Sequence, residues 1–435
     1  MSKKISNILF CIASILYLSA GACYIMNRFV VVRLLVVFAL AITALAFRGY
    51  KQLQGFTYTV FIVMGICLGM FYPQTFIRMG DFELKYLIVP FVQVTMLGMG
   101  AQMSFNDFKG VVLMPKGVIT GVLCHFTVMP LVGLALSKTF NFSPEIAGGV
   151  VLIGCVPSAM ASNVMSYLAK ANLALAVTIG AVGTMLAPFL TPILMQWLGG
   201  QYIEINVVKM MVEITNMIIV PIIAGFIFNL FYHPNTKKSK IIQMSIFAAI
   251  ILVTNIILHC STHAAIRDTL VATLHGFLWF YLSPFLAALI LKNTPKITIQ
   301  MISKALAFVA MLGIVINTII ITASGRDSLM QVGALLILSC FLHNVIGYSV
   351  GYSAATLMRL PQKDRRTVAF EVGMQNGGVA TGLALQMGKI ATVGLASAIF
   401  GPLQNLTGSA LVDIFKKIPP EGDRMTVQNK KKLHE

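Results

Sequence analysis

The sequence predicts an all-α polytopic membrane protein, on three observations. Of its 435 residues 57% are hydrophobic and only 11% charged, and the mean hydropathy is +0.86. A water-facing surface carries about a quarter charged residues, so lipid must be the main solvent. The apolar residues fall in runs of about 20, the length of a spanning helix. The charges sit in short clusters between those runs.

Candidate spans lie near 6–26, 29–47, 55–77, 85–103, 116–137, 145–169, 171–198, 206–232, 240–259, 269–292, 302–323, 330–357, 366–386 and 391–413, about 14 in all. The second span carries Arg33, which must snorkel or face protein. With an inside N-terminus, alternation puts roughly 23 of the 32 basic residues on the cytoplasmic side, including Lys237–Lys240 and Arg359–Arg366. That bias supports an even number of spans with both termini cytoplasmic. The formal charge of +18 follows from these clusters. They form no stripe along a helix, so nucleic acid is not an expected partner. The opening Met1-Ser2-Lys3-Lys4 leads into a retained helix, and the basic tail 416–435 reads as a solvated membrane-surface segment. The cysteines, with Cys11, Cys23, Cys67, Cys155 and Cys340 inside apolar runs, read as small hydrophobes. A bacterial inner membrane, or a plasma membrane, is the expected location.

Two spans are interrupted. From Gly154 to Ala176, Pro157, Ser158, Ser162 and Asn163 sit mid-span; from Ala369 to Ala384, Glu371, Gln375, Asn376 and three glycines share one segment. In hydrocarbon a backbone group without a partner costs several kcal/mol, so broken helices persist where they are buried or line a wet cavity. Two interruptions in matching halves point to a transporter's midplane site. Kinked packing helices would account for the glycines, but not for Glu371. An intramembrane carboxylate costs about 2.5–3.5 kcal/mol or more and usually faces a functional cavity. Glu213 has a plainer explanation, a pair with Lys209 one helical step away. Glu371 has no basic residue nearby in its span, so its expected partner is a hard cation such as sodium held by oxygens.

The motifs Glu371-Val372-Gly373-Met374-Gln375-Asn376, preceded by Asp364-Arg365-Arg366-Thr367, and Ala161-Ser162-Asn163-Val164-Met165 followed by Tyr167-Leu168-Ala169, resemble the bile acid:sodium symporter family. Met129-Pro130, the loop from Asp107-Phe108 to Pro115-Lys116, and His343-Asn344 with Gly347-Tyr348 add to the resemblance, which runs from about 55 to 415. It implies a core of ten helices in two inverted five-helix repeats, with discontinuous fourth and ninth helices crossing at the midplane. These would be the spans 145–169 and 366–386. The chain then divides into two extra helices (1–52), the first repeat with core helix six (53–235), an inserted pair (236–298), core helices seven to ten (299–415) and the tail; about four helices lie outside the core.

The resemblance also implies two sodium sites. One would be formed by Ser162, Asn163 and Glu371 with hydroxyls from the fifth core helix, where Ala176 and Gly180 stand here. The other would be formed by Glu371, Val372, Met374 and Gln375 with a glutamine whose place His125 takes. A histidine of the family appears as Gln404. These changes leave one or two sodium ions open, and proton coupling through Glu371 and His125 is the rival. Asn376 and Asn405, with Ser158 and Pro157 beside them, are the expected contacts of a small organic anion, a bile acid or a carboxylate such as pantoate. Other classes fit less well. No GxxxxGK[ST] motif supports a primary pump, and localised breaks differ from a channel's continuous lining. A membrane enzyme using Glu371 with His125 or His343 would lack a nucleophile constellation. The expected activity is sodium-coupled symport by alternating access, and not catalysis.

Overall fold

The computed structural model describes residues 2–50, 53–103, 110–232 and 299–418. The expected inserted pair, 236–298, and the tail beyond Ile418 lie outside the described residues. Nearly every described segment is helical, because a chain in hydrocarbon must pair its backbone groups within itself.

The helices are α1 (Lys3–Ile25), α2 (Phe29–Phe47), α3 (Thr57–Phe71), α4 (Ile88–Gly100), α5 (Pro115–Thr139), α6 (Pro144–Cys155), α7 (Ala161–Leu168), α8 (Leu173–Leu194), α9 (Val207–Ile214), α10 (Val220–Tyr232), α11 (Ile299–Ser324), α12 (Arg326–Leu357), α13 (Gln362–Gly373), α14 (Gly377–Gln386) and α15 (Gly394–Lys417). A wider π turn, Thr215–Ile219, joins α9 to α10. A two-residue hairpin pairs Arg78–Met79 with Phe82–Glu83 between α3 and α4. Six helical stretches among the described residues are long and apolar enough to cross a membrane, and four shorter apolar ones accompany them.

Local chemistry sets many of the ends. The side chains of Ser2, Asn172 and Asn206 cap α1, α8 and α9 by accepting from Ile5, Leu175 and Lys209 N–H groups. Pro115 and Pro144 open α5 and α6 in the first turn, where a missing N–H costs nothing.

The helices pack in two groups, which position the site. α3, α4, α10 and α11 pack on one another, while α5, α6, α7, α8, α12, α13, α14 and α15 form the second group. Glycines let backbones touch. A Cβ on Gly100 would stand 1.9 Å from the carbonyl oxygen of Ile222, and one on Gly347 would stand 2.8 Å from Cα of Gly373. α1 and α2 form a hairpin, closed by Ser6 Oγ donating to Ala46 O, that packs on α3.

The spans expected at 145–169 and 366–386 are each two helices. α6 stops at Cys155, and Val156 is extended (φ −80°, ψ 159°) because the ring of Pro157 excludes the helical conformation before it. α13 stops at Gly373, Met374 is extended (φ −104°, ψ 127°), and Asn376 caps α14 by accepting from Val379 N–H. Among the described residues the other expected spans are helical within a few residues of their expected ends; α12 starts at Arg326 and α15 runs to Lys417.

Candidate functional site

The two breaks cross as a short antiparallel pair. Ser158 lies opposite Gln375. The Asn376 N–H donates to Pro157 O at 2.8 Å, and the Ala159 N–H donates to Met374 O at 3.2 Å. Each break thereby satisfies backbone groups that the other has released.

Glu371, in the last turn of α13, is fully buried beside this crossing. Ser158 Oγ donates to its Oε2 at 2.7 Å, and Ser162 Oγ, on α7, lies 2.5 Å from its Oε1. Among the described residues no lysine or arginine forms an ion pair with it. Two buried amide oxygens, Asn163 Oδ1 and Gln375 Oε1, have no hydrogen-bond partner among the described residues. Gln375 Nε2 donates to Val372 O at 3.0 Å, which fixes the amide and leaves that oxygen over. Carboxylate, hydroxyl and amide oxygens are the donor types a hard cation takes. Among the described residues no three His, Cys, Asp or Glu side chains converge as a transition-metal site would require.

The helices that run through the bundle hold the crossing. Both ring nitrogens of His125, on α5, face carbonyl oxygens at 2.9 Å: Nδ1 that of Glu371, Nε2 that of Val156. The ring therefore bridges the released ends of α6 and α13. On α12, Asn344 Nδ2 donates to Gly373 O at 2.7 Å, and His343 Nε2 meets Met129 O at 2.8 Å. At the far end of α13, Asn172 Nδ2 donates to Asp364 Oδ1 at 2.8 Å. Arg366 donates to Ala169 O at 3.0 Å and to Ile418 O, with its guanidinium 5.0 Å over Phe415. The motif residues 364–367 thus anchor α13 to the ends of α7 and α15.

Beside the crossing, between the two helix groups, lies a cavity of about 430 Å³. Among the described residues no Asp, Glu, Lys, Arg or His lines it. Asn376, Asn405 and the α14 N-terminus at Gly377–Gly378 face Met96 and Met160 across it. Its wall continues to Gly55 and Tyr58 at the start of α3.

Of the residues expected around a cation, Glu371, Gln375, Ser162 and Asn163 stand at the two breaks by side chain, and Val372 and Met374 by backbone; His125 offers no ligand there, because both its ring nitrogens face backbone carbonyls. Of the residues expected to meet an anion, Asn376 and Asn405 line the cavity. Pro157 and Ser158 are engaged in the crossing instead. Glu213 sits 3.9 Å from Lys209, as its spacing foretells. Thr178 turns back to Ala174 O. Asn344 and Gln404 stood out in the sequence only through the resemblance, which gave no sign that they hold the second break.

Comparison with known proteins finds similarity to one family of transporters. Residues 89–267 match the sequence model of the Sodium Bile acid symporter family. Over those residues the chain is similar to this family. It is 29% identical over 371 residues to the "Uncharacterized sodium-dependent transporter YocS" of Bacillus subtilis (strain 168), covering 85% of this chain and 94% of that one. It is 25% identical to the "Probable sodium/metabolite cotransporter BASS1, chloroplastic" of Arabidopsis thaliana, over 84% of this chain and 74% of that one. With the human "Ileal sodium/bile acid cotransporter" it shares 28% identity over 67% of each chain. Similarity to the Sodium Bile acid symporter family agrees with motifs spread from α5 to α15.

Proposed function

We propose that this chain is a secondary transporter that couples sodium entry to symport of a small organic anion. The observation that carries the reading is Glu371, buried at the crossing and held by Ser158 and Ser162, with partnerless amide oxygens on Asn163 and Gln375 of the same two breaks. A buried carboxylate needs a counter-charge, and the donor set suits a hard monovalent ion. The relatives' names, as sodium-dependent or sodium/metabolite transporters, agree with it.

In this reading α3 to α15, with core helix six formed by α9 and α10, are the ten core helices of two inverted repeats. α1 and α2 are additions before the core, and 236–298 is an inserted pair. Both termini are cytoplasmic, in a bacterial inner or plasma membrane. The cavity between the helix groups is the substrate site. Its anion contacts are the Asn376 and Asn405 amides and the positive end of α14. With no charged residue among the described ones that line it, it suits one negative charge on a largely apolar body, such as a bile acid or a carboxylate like pantoate. Sliding of one helix group against the other supplies alternating access. A monovalent anion carried with one sodium is electroneutral; a second sodium would add about 2.3 kcal/mol per 100 mV of membrane potential.

One observation favours a second reading, proton coupling. A ring nitrogen needs a hydrogen to meet a carbonyl oxygen, and both nitrogens of His125 meet one. Uptake of radiolabelled carboxylates into proteoliposomes separates the two. Under sodium coupling, an imposed sodium gradient drives uptake and E371Q abolishes it while the protein still inserts. Full uptake from sodium-free buffer under a fixed proton gradient selects the proton reading. Counterflow of unmodified substrate distinguishes a carrier from a membrane enzyme.

A further inference from the structure

The antiparallel pairing of the breaks has a geometric consequence at Gln375. The hydrogen bonds of the pair run from its neighbours, Asn376 N–H to Pro157 O and Ala159 N–H to Met374 O. In such a pair the N–H and C=O of the residue between them point away from the partner strand. On that far side stands Gln404 of α15. Its Oε1 accepts from the Gln375 N–H at 2.7 Å, and its Nε2 donates to the Gln375 C=O at 3.0 Å. One carboxamide thus acts as a third strand. Gln404 is 5% exposed and is itself braced, its carbonyl accepting from Tyr348 Oη at 3.2 Å. With the backbone of Gln375 gripped from both sides and its Nε2 tied to Val372 O, its Oε1 is left buried and unpartnered. Gln404 also lines the cavity beside Asn405.

We propose that Gln404 is a positioning residue: by fixing the backbone of Gln375 it sets cation affinity, and it transmits cation occupancy to the wall of the cavity. It deepens the sodium reading above and rests on it. Gln404 is thereby distinct from the cavity amides, since it acts through Gln375 and not on the substrate.

The test uses the full chain in detergent and sodium alone as the probe. Thermal melts are followed while NaCl replaces choline chloride at constant ionic strength, giving the sodium concentration of half-maximal stabilisation. Methionine at 404 keeps the bulk and loses both bonds; asparagine keeps the carboxamide but is one methylene short. The half-stabilising concentration is expected to rise about tenfold in Q404M, the loss of two modest hydrogen bonds, with Q404N between it and the native chain. A purely structural role would lower the melting point in choline chloride for both variants and leave the sodium midpoint in place. A Q404M midpoint within about twofold of native therefore overturns the proposal. Should Q404M not fold, an unmoved Q404N midpoint does the same. E371Q runs alongside. If E371Q keeps the sodium shift, or the native chain has none, the cation reading fails and this inference falls with it. If E371Q loses the shift and the Gln404 variants keep the native midpoint, this inference alone fails.

Discussion

Gly180 faces Glu371 across the crossing: a Cβ built on it would stand 3.7 Å from Glu371 Oε2 and 3.7 Å from Ser158 Oγ. That is ordinary contact distance, so α8 leaves room beside the carboxylate for a small side chain. Gly180→Ser is expected to place a hydroxyl there and add an oxygen ligand. Half-saturating sodium for uptake should fall several-fold, in line with one added hydrogen-bonding group of about 1 kcal/mol. A rise in that value, with the protein intact, would show that the space serves something else.

The two serines on Glu371 are expected to contribute unequally. Among the described residues Ser158 Oγ has Glu371 as its one hydrogen-bond partner, whereas Ser162 Oγ lies 2.6 Å from Ala159 O as well. One hydroxyl hydrogen cannot serve both acceptors fully. Ser158→Ala should therefore raise half-saturating sodium more than Ser162→Ala does, by about tenfold for loss of a hydrogen bond to a charged group. Sodium titrations of uptake for the two variants decide; equal shifts, or the reverse order, contradict the assignment.

Asn376 and Asn405 line the cavity, while Pro157 is spent on the Asn376 N–H. Asn405→Ala is expected to raise the substrate KM about tenfold at saturating sodium, as loss of a hydrogen bond to a charged group does, with the sodium midpoint unmoved. KM measured against sodium concentration checks this. A sodium shift with unchanged KM would move Asn405 out of the substrate site.

Gly347 lets α12 close on the broken end of α13. A Cβ there would lie 2.6 Å from Met129 Sδ and 2.8 Å from Gly373 Cα. Backbone cannot yield as a side-chain tip can, so Gly347→Ala should cost about 1–3 kcal/mol of stability, the usual penalty of overpacking. It should also loosen the Asn344 bond to Gly373 O. Melting temperature in detergent is the measurement, and an unchanged value would mean the helices part without cost.

Much of this was legible beforehand. Apolar runs gave the helices, because a bilayer permits little else. Glu371 stood out because hydrocarbon tolerates few carboxylates. The second span's Arg33 is exposed and needs no partner within the protein. What stayed hidden were pairings between residues far apart in the chain. That Ser158 belongs to Glu371 rather than to the cavity cannot be read from a motif 213 residues away.

The two breaks divide the matter. The first was written locally: Pro157 has no N–H to give and forbids a helical Val156, so α6 must end there in any surroundings. The second has no such instruction, since nothing from Val372 to Gln375 excludes a continuing helix. It opens because partners from elsewhere outbid the helix's own hydrogen bonds: Asn344 for Gly373 O, Gln404 for both groups of Gln375, and Pro157 O for the Asn376 N–H. The sequence alone determined that the chain spans a membrane and carries a costly buried charge. Only the tertiary structure decided which groups surround that charge, because released backbone groups without water must find their partners on other helices.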